Sequence, residues 1–96
     1  NEKELEIEKL VKQFEENIKL YFDFIESQEE GQRLIAKMKS SDGSFTREIL
    51  LNEFNSITRK FILIKGKELL DLFKKEMKEN LESFFDLFVE ERCEEK

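Results

Sequence analysis

Apolar side chains recur at alternating steps of four and three along most of this chain, and no proline interrupts them. In the first third the stripe is Ile7, Val11, Phe14, Ile18, Tyr21 and Ile25, widened by Leu10. A helix turns ~100° per residue, so such steps return to one face, whereas a half-buried strand needs steps of two. Asn1 ahead of Glu4 forms a capping pair, and Glu8 with Lys12 and Glu15 with Lys19 stand in the order that supports a helix. The spacing predicts a first helix from about residue 2 to the region of Ser27.

Two breaks compete after it. Ser27, Gln28, Glu29 and Glu30 fit a capping box, with the serine starting a new helix; Gly31 could instead close the first helix as a left-handed cap. Either way Leu34, Ile35 and Met38 predict a short second helix ending near Lys39. Residues 40–44, SSDGS, carry the turn chemistry of the chain, and Ser44 is the expected cap of a third helix.

The third stripe is Leu50, Phe54, Ile57, Phe61 and Ile64, with Asn52, Asn55 and Arg59 on the opposite side. A fourth runs through Leu70, Phe73, Met77, Leu81, Phe84 and Phe88. Between Ile64 and Leu69 no Ser, Thr, Asp or Asn is available to cap a fresh helix. Either the chain turns tightly at Gly66, or one long helix bends there; a compact monomer requires the turn, and the turn is favoured. Phe61 to Ile64 could by composition be a strand, but no second strand exists to pair with it. The expectation is an all-α antiparallel bundle of three to four helices, forming a single domain over residues 1–96. The first residue is not methionine, which fits a piece of a longer protein.

Composition closes off several chemistries. Without histidine the commonest general base, metal ligand and pH switch is missing, so neither a di-iron Glu-x-x-His site nor a Cys/His zinc site can be built. The three glycines stand apart at 31, 43 and 66, so no glycine-rich phosphate loop exists. Cys93, the single cysteine, cannot make an intrachain disulfide; in ERCEEK three glutamates oppose thiolate formation and Arg92 favours it, so no activated nucleophile is indicated. No enzyme activity and no cofactor are expected. The net charge of −6 disfavours nucleic-acid binding by this chain alone; Lys74, Lys75 and Lys78 are the best local basic group, interleaved with Glu76 and Glu79. No apolar run approaches a membrane span and no signal peptide is visible, so a cytoplasmic setting is the default.

Two segments hold more apolar width than one contact uses. Leu81, Phe84, Phe85, Leu87, Phe88 and Val89 spread over roughly 200° of a helical wheel, as do Ile18, Leu20, Tyr21, Phe22, Phe24 and Ile25. One core contact needs a stripe a little over ~100° wide. Asp23 and Asp86, embedded in YFDF and FFDLF, fall on the polar side of the wheel and are read as surface residues. A helix pinched between two neighbours explains much of this width. A second contact surface explains it too, and the candidates for that interface or pocket are Tyr21, Phe22, Phe24, Phe84, Phe85, Leu87 and Phe88.

The run YFDFIESQEEGQRLIAKM pairs a long helix, a polar break and a short amphipathic helix. In that pattern it resembles the ligand-binding half of TetR-type repressors; the resemblance implies a dimer interface and an apolar effector pocket built by later helices. The helix-turn-helix half of such proteins has no counterpart in these residues. The leading expectation is a non-catalytic interaction module, binding a second copy or another helical protein through phenylalanine-rich faces. The alternative is a regulatory domain holding an apolar small molecule between its helices.

Overall fold

Each break between helices has a local cause. The computed structural model describes residues 1–40 and 43–92. Five α-helices follow one another: α1 (Glu2–Ser27), α2 (Glu29–Lys39), α3 (Arg47–Lys65), α4 (Asp71–Glu79) and α5 (Leu81–Arg92), with a 3-10 turn at Gly66–Glu68. No strand occurs among the described residues, and Phe61 to Ile64 are helical.

Helix α1 starts as expected, with the Asn1 side chain accepting the Lys3 N–H at 3.1 Å. It ends at Ser27, as expected, but by neither of the two expected caps. Gln28 leaves the helix in an extended conformation, and its N–H bonds the Ile25 carbonyl at 3.2 Å. The Ser27 hydroxyl turns backwards and donates to the Phe24 carbonyl at 2.7 Å, while the Gln32 amide donates to the Glu26 carbonyl at 3.2 Å. Ser27 thus satisfies the terminal carbonyls of α1 and does not cap α2. Gly31 lies inside α2, pressed against α1, and terminates neither helix.

Residues 41 and 42, and the terminal segment with Cys93, lie outside the described residues. Gly43 takes the left-handed φ of 74° that glycine adopts without strain. Thr46, and not Ser44, caps α3: its hydroxyl oxygen accepts the Ile49 N–H at 3.3 Å. The chain does turn at Gly66. Its 3-10 turn is followed by Leu69 and Leu70 in extended conformations. Leu70 has no local side-chain cap; Asn17, far away on α1, accepts its N–H at 3.0 Å.

The expected three to four helices become five because the fourth stripe is cut at Asn80. That residue leaves helical geometry (φ −124°, ψ 41°), and its carbonyl accepts the N–H groups of Ser83 and Phe84. No residue is added at the cut, so Met77, Leu81 and Phe84 keep their rhythm across it. Periodicity is blind to such a break.

The core is a web of rings centred on Tyr21. Its ring stacks on Phe61 of α3 (5.0 Å between centroids, 16° between planes) and meets Phe54 of α3, Phe73 of α4 and Phe84 of α5. Phe88 bridges Phe22 and Phe54, and Phe85 also packs on Phe54. Thr58 is the one buried polar side chain among the described residues. Its hydroxyl donates to the Phe54 carbonyl at 2.9 Å, which leaves its oxygen to accept from the Tyr21 hydroxyl. One hydrogen-bonded pair therefore allows a polar tip at the centre of an apolar cluster. Burial raises the phenol pKa of Tyr21 well above its ordinary value.

Candidate interaction surface

The two wide apolar arcs are covered by the bundle itself. Tyr21, Phe22, Phe84, Phe85 and Phe88, five of the expected contact residues, are buried core side chains. Phe24 and Leu87 are half-buried against the same core. The structure brings the seven together, but as a core and not as a free surface. The physical reason is the number of flanks: α5 lies against α3 and α4, and its rings also reach α1 through Tyr21 and Phe22. A helix with neighbours on several flanks buries a wider arc than one with a single contact.

Asp23 and Asp86 are exposed, as their wheel positions predict, and each meets an arginine that the wheel could not show. Arg92 bonds Asp23 at 3.2 Å and Glu26 at 2.8 Å, tying the end of α5 to α1. Arg47 bonds Asp86 at 2.7 Å and lies 5.1 Å from the centre of the Phe85 ring. Both pairs are solvent-exposed enough to contribute little stability. Of the basic group on α4, Lys74 is held by Asp71 at 3.2 Å.

The uncovered apolar surface lies elsewhere. Residues 1–13 are all exposed, although the heptad stripe runs through them without change. Ile7 is 61% exposed and Val11 50%, with Leu5 and Leu10 beside them. The first ring to find the bundle is Phe14, edge-on to Phe73 at 5.0 Å. Helix α1 thus projects an arm of roughly 18 Å, at 1.5 Å per residue, beyond the packed helices. The overall dimensions agree. A radius of gyration of 14.6 Å exceeds the ~12.5 Å of a compact chain this long, and the longest axis is 52 Å. The arm stays helical because the docked half of α1 has already met the cost of nucleation.

Along this arm Ile7, Leu10, Val11 and Phe14 share one face, and on the wheel Glu4, Glu8 and Glu15 line one edge of it. These apolar residues were legible as a helical stripe, yet nothing in the spacing marked them as uncovered. Helix length carries the signal: α1 has 26 residues and the next longest helix 19, so α1 outruns its neighbours.

Open grooves also mark the surface. One of about 570 Å³ is floored by Leu50, Phe85 and Val89 and edged by the Arg47–Asp86 pair. Another, about 480 Å³, lies between α3 and the α4–α5 junction, over Ile62, Met77 and Leu81, with Arg59 and Lys78 at its sides. Among the described residues no helix is long and apolar enough to cross a membrane. The fold and the surface define a small all-α domain with a phenylalanine-rich core and an exposed apolar arm. Comparison with protein-family models, with curated proteins and with solved structures finds no match.

Proposed function

We propose that this chain is a non-catalytic helical interaction module, working in the cytoplasm, whose contact element is the N-terminal arm of α1. The observation that carries this reading is the heptad stripe that continues through Ile7 and Val11 after the bundle has ceased to cover it. Single exposed leucines are ordinary on any protein. An unbroken amphipathic face outside the core is different, because it matches the way helices lay apolar stripes into partner grooves. The absence of histidine, of a glycine-rich loop and of a reactive cysteine pairing supports a role without catalysis.

A photo-reactive side chain placed at Ile7 tests this in cells. It should give a discrete covalent adduct, while the same group at Ser83, exposed on α5, should give none. No adduct at Ile7 would overturn the reading.

A second reading rests on the groove floored by Leu50, Phe85 and Val89, whose volume of about 570 Å³ suits a small apolar ligand. On this reading the domain is regulatory, as in the effector-binding half of a TetR-like regulator. A ligand there raises the unfolding temperature as its concentration rises past its dissociation constant, as mass action requires. An unchanged temperature across fatty and aromatic compounds would remove this alternative.

A further inference from the structure

We infer that the arm of one copy docks into the α3/α4–α5 groove of a second copy, and the second arm into the first groove, giving a reciprocal dimer. This rests on the arm being the contact element and adds its occupant. Charge selects this pairing. Residues 1–16 carry Glu2, Glu4, Glu6, Glu8, Glu15 and Glu16 against Lys3, Lys9 and Lys12. Residues 58–67 are the opposite, with Arg59, Lys60, Lys65 and Lys67 and no acid, in a chain whose net charge is −6.

The groove has the matching shape and chemistry. Ile62, Met77 and Leu81 supply its apolar part beside the polar Asn55 and Thr58, Arg59 and Lys78 supply positive charge, and no carboxylate lines it. One turn beyond Arg59 along α3, outside the groove lining, Leu63 stands 85% exposed, the most exposed of the large apolar residues described. Arg59, Lys67 and Lys78 make no ion pair among the described residues; Lys60 and Lys65 reach Glu30 and Glu68 only at 3.9 and 3.7 Å. An acidic amphipathic helix with an apolar stripe completes this surface, and the arm is such a helix. Pairing arm with arm is worse. An antiparallel pair sets the edges of Glu4, Glu8 and Glu15 against each other, where like charges repel. Two arms meeting two grooves make a closed, self-complementary arrangement.

Sedimentation equilibrium of the purified chain, across micromolar to submillimolar concentrations, decides the matter. The wild type should show twice 11.6 kDa, weakening as salt is added. The arm variant Ile7→Asp/Val11→Asp and the groove variant Leu63→Asp should each raise the dissociation constant at least ~tenfold. All three positions are exposed, so the helicity of the folded chain should hold; Arg59→Glu/Lys78→Glu provides a second groove variant that touches no apolar residue. Mixing the arm and groove variants should restore dimers, because the mixed pair keeps one intact arm in one intact groove. Glu4→Lys/Glu8→Lys should likewise rescue Arg59→Glu/Lys78→Glu.

A wild type that stays monomeric overturns the inference. So does a dimer indifferent to Leu63→Asp and Arg59→Glu/Lys78→Glu, a mixture that fails to re-associate, or a series of masses above the dimer. The adduct at Ile7 separates the two levels. An adduct of any mass other than two copies sinks the self-pairing and leaves the interaction reading standing, whereas no adduct sinks both.

Discussion

The carbonyl oxygen of Ile25 occupies the space that a side chain on Gly31 would need: a Cβ built there would lie 1.7 Å from it. Helix α2 crosses the end of α1 so closely that hydrogen is the only substituent that fits. The contact is with backbone, which cannot swing aside as a side-chain tip does. Gly31→Ala therefore has to separate α1 from α2, at a cost of ~1–3 kcal/mol by analogy with overpacked cores. Urea unfolding should show a lowered midpoint with an unchanged slope. An unaffected midpoint would contradict this helix crossing.

Burial also sorts two neighbouring positions on α5. Phe85 is 2% exposed and packs on Phe54, while Leu87 is half-buried at the edge. Phe85→Asp loses the ~3–5 kcal/mol typical of removing a buried ring and adds the cost of a buried carboxylate. It should abolish the folded state, seen as lost helicity by circular dichroism. Leu87→Asp should leave a folded domain with a lower melting temperature. Equal tolerance of both would place the Phe85 ring at the surface with Leu87.

Tyr21 makes the fold sensitive to alkali. The buried phenol holds its proton in the folded state beyond the ordinary pKa of ~10, whereas the unfolded chain releases it there. Above ~10 the unfolded state binds fewer protons, so stability is intact below that pH and is lost as pH rises further. Tyr21→Phe removes this dependence, because no other tyrosine exists in the chain. At neutral pH it should cost ~0.5–1.5 kcal/mol, the net worth of one hydrogen bond. The difference in unfolding free energy between wild type and variant, followed from pH 8 upward, should therefore shrink and then reverse. A constant difference would refute it.

Asn17 holds the start of α4 from the far side of the molecule. With Asn17→Ala the Leu70 N–H loses its partner, at a cost of ~1 kcal/mol for a half-buried group. Hydrogen exchange of the Leu70 amide should accelerate more than that of α2. Uniform acceleration, or none, would show that the bond does not position this turn.

Sequence alone settled the helical class, because steps of four and three with no proline leave no other regular structure. It also placed the start of α1 at Asn1 and the end of α2 near Lys39, where local chemistry decides, but at Gly66 it left a turn and a bent helix both open, and the structure shows the turn. Tertiary structure decided the rest. Whether a ring is core or surface depends on how many helices flank it, which no wheel contains; hence Phe85 is buried and Val11 is bare. Gly31 reads as a helix stop in sequence and proves to be a crossing point, since its role is set by the Ile25 carbonyl. The cut at Asn80 leaves the apolar rhythm intact, and the N–H of Leu70 finds its acceptor in Asn17, 53 positions away along the chain. Local spacing fixes what a segment is; only packing fixes what it touches.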